Sequence, residues 1–265
     1  MPPQPSERAQ QLAQALIQAR QQARACPPDA RWADLSTEEA YAVQALVGHG
    51  MGWFQQGVPA WKAGGAPVVS AAPLPEVCSS PAMWRPTAWT GDDAAPSDTE
   101  GWIIEAEVAF RLARAPQGPN LAADVVQALG TVAVAIEAID TRWAAGLAAS
   151  PPNWKLADQG VHGTLVIGPE QPAQPWLTRT PQAWAGLGWQ FRVNGTLLKE
   201  GSGGLPAIEP LGAVRWLATH AAQHTGGLRA GDVVTTGAWA VVRARRGDVV
   251  EVSFEGLGAA QLTLT

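Results

Sequence analysis

The segment GWIIEAEVAFRLAR, residues 101–114, constrains the fold more than any other part of the chain. It is long, apolar and β-prone, yet it carries Glu105 and Glu107. Side chains at i and i+2 of a strand point the same way. Ile103, Glu105, Glu107 and Ala109 therefore share one face, and Trp102, Ile104, Ala106, Val108 and Phe110 share the other. Adjacent carboxylates repel, so one face belongs to the core and the other must bring a positive group or water to the glutamates.

A second run, TVAVAIEAID (131–140), alternates in the same way. Thr131, Ala133, Ala135 and Glu137 share a face, and every residue before the glutamate is small, which leaves room for a ligand. Only a short helix, PNLAADVVQALG (119–130), separates the two runs; Asn120 suits its N-cap and Gly130 its stop. The strands can then be neighbours, and Glu105, Glu107 and Glu137 converge. Three oxygen ligands without Cys or His suit a hard cation, Mg²⁺ or Mn²⁺. By spacing alone, Glu-x-Glu is also common on solvated strand faces.

Around this pair the chain reads as helices first and strands after. Residues 6–25 place Leu12, Leu16 and Ile17 at helical spacing, and 36–47 open with a Ser36–Glu39 capping box and turn Tyr41 and Leu46 inward. Residues 1–50 thus form an N-terminal helical layer packed on a β-rich body, residues 51–265. Trp61 and Lys62 end a short strand before a Gly/Pro-rich loop, and GDDAAPSDT (91–99) is a polar turn. Asn194-Gly195 marks a hairpin, residues 210–227 a helix with Leu211, Val214, Leu217 and Ala221 on one face, and each later Gly-Asp pair opens a strand. RARRG (243–247) reads as a hairpin turn. His220 and His224 stand at i and i+4 without a third ligand, which favours a solvated helix face over zinc. Asp140 and Arg142 are expected to pair at a strand end.

Composition narrows the function. The net charge is −5 and RARRG is the only basic cluster, which argues against nucleic acid. No apolar stretch approaches the ~20 residues of a membrane span, and no leader pattern opens the chain, so a cytoplasmic protein is expected. Cys26 and Cys78 make neither a disulfide framework nor a zinc site. The 13 Trp have no common spacing, which favours core positions over a sugar-stacking surface.

From about residue 40 onward the chain resembles the fumarylacetoacetate hydrolase superfamily, in the branch of 2-keto-4-pentenoate hydratases and 4-oxalocrotonate decarboxylases. The resemblance lies in EAEVAFRLAR, in Glu107 and Glu137 thirty residues apart, in AIEAIDTRW and LADQGVHGTLVIG, and in VNGTLLKEGSG and the blocks that follow. It implies an α+β fold: a mixed β-roll core with a helical N-terminal layer. It also implies a divalent metal on Glu105, Glu107 and Glu137, a 2-keto or 2-hydroxydienoic acid substrate, and assembly as a homo-oligomer. Lys62 matches the family's lysine segment as an electrostatic or acid–base group. Gly203, in the Gly201–Gly203 turn, and Thr236 match segments that contact the substrate carboxylate. Trp239 stands where a small residue is usual and is expected to shorten the pocket.

Three positions depart from the pattern: GGAP (64–67) replaces GLTS, PLPEVCSSPAM offers Glu76 as its only acid, and His162 replaces a serine. An imidazole titrates near neutral pH, so His162 is a candidate proton donor, with a backbone-bonded loop histidine as the alternative. Asp158 is expected to orient its loop. The resemblance implies a metal-dependent lyase; the alternatives are a hydrolase or decarboxylase of the same fold, a silent 2-oxo-acid-binding paralogue, or a Trp-lined carbohydrate module.

Overall fold

The computed structural model describes residues 4–64, 70–87, 101–204 and 209–265. The polar turn expected at 91–99 and most of the loop after Gly64 lie outside these residues.

Two helices open the chain. α1 (Glu7–Gln22) starts at Ser6, whose side chain accepts from the Ala9 amide. α2 (Thr37–Gly50) starts with the expected capping box between Ser36 and Glu39. Its buried stripe is Ala40, Val43, Gln44 and Val47, and Tyr41 and Leu46 flank it only half-buried. Leu12, Leu16, Val43 and Val47 pack against Trp32 and against Trp143 and Trp154 from the body. The helical layer therefore shares its core with later segments.

The largest sheet holds β1 (Ala60–Gly64), β2 (Ser70–Leu74), β3 (Val77–Ser79), β5 (Trp102–Leu112), β6 (Leu129–Ile139), β7 (His162–Ile167) and β11 (Val233–Thr235), in the order β2-β1-β11-β5-β6-β7-β3. β8 (Gln171–Pro172) adds to β6, and β12 (Ala240–Ala244) adds to β5. A second sheet runs β10-β9-β13-β14-β4, from Thr196–Ser202, Gly188–Val193, Val249–Phe254, Gly258–Leu264 and Ala82–Trp84. Trp61 and Lys62 lie inside β1 rather than at its end.

β5 and β6 pair antiparallel along their length, with Glu105 opposite Glu137 and Glu107 opposite Ala135. α3 (Leu121–Ala128), capped by Asn120, joins them. Gly130 does not stop this helix: the chain passes straight into β6, where a Cβ at Gly130 would meet Ala113 Cβ at 2.8 Å. One face of the pair, with Ile104, Val108, Phe110, Val134 and Ile136, joins the main core. The other is lined by Ala109, Ala133 and Ala135 with Ala60, Leu165 and Val233. Small side chains there let the sheet curl tightly.

The Asn194-Gly195 hairpin forms as expected, with φ of 51° and 78°, the pair of left-handed residues a two-residue turn needs. RARRG forms a turn, but not a hairpin: β12 pairs with β5 and β13 with β9 and β14, so it carries the chain from one sheet to the other. α8 (Pro210–His224) buries the predicted face. His220 is not on a solvated face: it stacks on Trp216 at 4.7 Å and packs on Tyr41 of α2 at 4.6 Å. Among the described residues ten Trp are buried, including Trp176, Trp184 and Trp189 in the main core.

Candidate metal centre

β5 and β6 carry the three glutamates to one end of the small-residue face, and carboxylate oxygens of Glu105, Glu107 and Glu137 lie within 4.8 Å of one another. Glu107 and Glu137 are fully buried, while Glu105 keeps 17% of its side-chain surface. Like charges at this spacing need compensation. Lys62 supplies part of it. Its Nζ donates to Glu105 Oε2 at 3.1 Å and lies 2.9 Å from Glu137 Oε2, the latter an ionic contact outside hydrogen-bonding geometry. Burial by itself would lower the Lys62 pKa, but the fields of Glu105, Glu137 and Glu107 together outweigh it and keep the ammonium protonated.

One lysine does not balance three carboxylates. Burial, and then the Glu137 charge, push Glu107 well above the usual carboxylate range. Burial raises Glu137 too, against the pull of Lys62. Glu107 is held where the sheet breaks. β11 covers β5 as far as Ala109 and β12 resumes at Ala106. In the gap the Gly237 amide donates to Glu107 Oε2 at 3.1 Å, and the Thr236 hydroxyl donates to the Val108 carbonyl at 2.9 Å. Gly64 abuts this turn: a Cβ there would stand 3.0 Å from Gly237 Cα. The second Glu107 oxygen, Oε1, is buried without a partner among the described residues.

That orphaned oxygen fits a cation. An all-carboxylate donor set suits Mg²⁺ or Mn²⁺ by hardness, and a divalent ion would neutralise the surplus charge that Lys62 leaves. Glu105, Glu107 and Glu137 are the residues that would hold it.

His162 closes one side. Its Nε2 lies 3.0 Å from the Glu76 carbonyl, and its Nδ1 lies 3.1 Å from Glu137 Oε1. A carbonyl only accepts, so Nε2 carries the hydrogen. Burial lowers the His162 pKa to about 3, which favours the neutral ring.

A model of the fumarylacetoacetate (FAA) hydrolase C-terminal region matches residues 66–265. The chain belongs to the fumarylacetoacetate hydrolase family. Among curated proteins it is 32% identical over 177 residues to the TodF product hydratase of Pseudomonas putida, covering 64% of this chain and 61% of that one. It is 30% identical over 169 residues to a 2-hydroxyhexa-2,4-dienoate hydratase of Comamonas testosteroni, covering 61% and 59%. The chain thus spans about three fifths of the length of these relatives. Among solved structures, a 4-oxalocrotonate decarboxylase from Pseudomonas putida G7, complexed with magnesium and adipate, superposes with a TM-score of 0.78 over 98% of both chains at 20% identity, which shows the shared fold.

In this family member the other expected positions fall differently. Thr236 sits beside Glu107, but its hydroxyl hydrogen is spent on the backbone. The Gly203 amide donates to Leu187 O at 3.0 Å and its carbonyl accepts from Trp189 Nε1 at 2.7 Å, so both groups hold the loop after β10. The Trp239 ring packs in the main core, 5.4 Å from Phe254 and 6.1 Å from Trp184.

Arg142 does not pair with Asp140. It clamps Asp158 instead, Nε to Oδ1 at 2.7 Å, and its Nη1 reaches the His162 carbonyl at 2.8 Å. Arg20 of α1 meets the same Asp158 oxygen at 2.8 Å. Asp158 therefore orients its loop, as expected, and ties the helical layer to it. No local signal marks Arg20 for this role, since it lies 138 residues from Asp158.

Proposed function

We propose that this protein is a divalent-metal-dependent lyase that hydrates a 2-hydroxydienoic acid of the 2-keto-4-pentenoate type, as in aromatic-compound catabolism. The carrying observation is the triad of Glu105, Glu107 and Glu137, two of them fully buried, with Glu107 Oε1 unpartnered among the described residues. The curated relatives support the reading, since those it matches at about 30% identity are named hydratases. A bound Mg²⁺ or Mn²⁺ would act as a Lewis acid on the 2-oxygen and stabilise the negative charge that develops there.

The chain's own residues prepare the rest. Lys62 keeps a permanent positive charge at the rim, partly exposed, where an anionic 2-oxo acid arrives. His162 and Lys62 each engage Glu137, and Gly237 with the Thr236 turn fixes Glu107, so the triad needs little rearrangement.

The test is to supply 2-hydroxypenta-2,4-dienoate with Mg²⁺ or Mn²⁺ and follow the loss of dienol absorbance. Consumption that EDTA abolishes and that Glu107→Gln lacks is the expected result. Carbon dioxide release from 4-oxalocrotonate without dienoate hydration would place the protein with the decarboxylases. Metal and oxalate binding without turnover of either acid would make it a silent binding paralogue.

A further inference from the structure

Arg20, near the end of α1, leaves only 9% of its side-chain surface exposed. Its Nη1 donates to Asp158 Oδ1 at 2.8 Å, and its guanidinium lies over the Trp53 ring, 5.3 Å from the centroid. Burial lowers its pKa to about 10. Well-packed apolar side chains often replace a buried ion pair without loss of stability, so packing alone does not account for this arginine.

What Asp158 holds does account for it. Asp158 is fully buried, and its Oδ1 also accepts from Arg142 Nε at 2.7 Å, its Oδ2 from the Arg142 amide at 2.9 Å. The Asp158 carbonyl accepts from Arg142 Nη2 at 3.1 Å and from the Val161 amide at 2.9 Å. The Asp140 amide donates to the Val161 carbonyl at 2.9 Å. Inside these bonds Gln159, Gly160 and Val161 have φ of 53°, 64° and 58°, three successive left-handed residues. Two of the three carry a Cβ and one is β-branched, so the run is unfavourable by itself and persists because its surroundings hold it. His162 follows directly. Arg142 Nη1 donates to its carbonyl at 2.8 Å, and its Nδ1 lies 3.1 Å from Glu137 Oε1. An unbroken chain of polar contacts thus leads from Arg20 through Asp158 and Arg142 to His162 and a carboxylate of the triad.

We propose that Arg20 is a positioning residue for the metal centre: with Arg142 it clamps Asp158, holds the left-handed run in place, and so sets His162 against Glu137. This rests on the metal-holding reading of the triad. Arg20 touches none of the three glutamates and acts through His162. Without it Asp158 keeps a single guanidinium, that of Arg142, which also carries the His162 carbonyl. The strained run then has less to hold it, and His162 leaves its place beside Glu137 more readily.

The experiment titrates Mg²⁺ by calorimetry into wild type, Arg20→Met, Leu16→Ala, His162→Ala and the double variant of Arg20→Met with His162→Ala; each protein is also melted. Arg20→Met is expected to weaken Mg²⁺ binding by at least about threefold, as residues that bias a site from a distance do. Leu16 is buried on the same helix and serves as the control. Leu16→Ala should lower the melting temperature, because it empties part of the core, and leave Mg²⁺ affinity within about twofold of wild type. In the His162→Ala background Arg20→Met should cost less than about twofold more, since residues acting in one chain of contacts are not additive. Unchanged Mg²⁺ affinity in Arg20→Met overturns the proposal. An equal loss in Leu16→Ala does so too, because the effect would then be one of general stability. Full additivity with His162→Ala also overturns it, because Arg20 would then act by another route. Wild type that binds no Mg²⁺ would overturn the reading of the triad beneath instead.

Discussion

Glu107 has one carboxylate oxygen tied to the Gly237 amide and the other buried with no partner among the described residues. Burial already drives this carboxyl towards its neutral form. Glu107→Gln, which keeps the shape and removes the charge, is therefore expected to leave metal-free thermal stability unchanged or slightly higher. It should weaken Mg²⁺ affinity by at least about 100-fold, more than the 10–100-fold typical of outer-shell changes; a melt and a metal titration read the two effects separately. Lys62 behaves oppositely. Lys62→Met removes the positive charge beside Glu105 and Glu137 and is expected to destabilise the metal-free protein by about 2 kcal/mol, less than a fully buried pair because Lys62 and Glu105 retain some exposure. Saturating Mg²⁺ should recover much of that loss, measured by denaturant melts with and without the ion.

Among the elements, the loop from Asp158 to His162 depends most on distant residues. Arg142 holds both ends of it, at Asp158 and at the His162 carbonyl. Arg142→Ala is expected to cost about 3–5 kcal/mol, since it leaves Asp158 buried with less compensation; chemical denaturation measures it. The join between α1 and α2 gives a pH prediction. Hydrogen bonding to Arg8 lowers Glu39 from 4.5 to about 2. A depressed carboxyl stabilises the fold above its unfolded pKa, and the contribution fades as pH falls from about 4.5 towards 2. The acid limb of a pH-stability curve should thus be shallower in Glu39→Gln than in wild type.

The same elements show what a sequence can convey. β5 and β6 were legible because a period of two over eleven residues separates an apolar face from a small-and-acidic one. α8 and the Asn194-Gly195 hairpin were legible because their signals are local. The partners of RARRG, the Arg20–Asp158 tie and the stacking of His220 on Tyr41 were not, because each depends on segments far apart in the chain. The left-handed run at Gln159 and Val161 was also silent, since neither residue type announces a positive φ.

Over the whole molecule, the larger sheet encloses one small-residue face with the glutamates at its end, while the second sheet joins the main core and the helical layer packs on a cluster of its own. Its family is that of the fumarylacetoacetate hydrolases, and among the described residues no helix is long and apolar enough to cross a membrane. Because the triad exists only in the folded chain, a ligand bound there stabilises the whole fold: at 100 times its Kd the gain is about 2.7 kcal/mol. Mg²⁺ or Mn²⁺ should therefore raise the melting temperature of wild type and not of Glu107→Gln. The most direct test is calorimetric titration of oxalate, a mimic of the chelating 2-oxo acid, into wild type with and without Mg²⁺. A metal-holding triad predicts oxalate binding that requires Mg²⁺ and disappears in Glu107→Gln. Oxalate binding that is indifferent to Mg²⁺, or that survives Glu107→Gln unchanged, would contradict it.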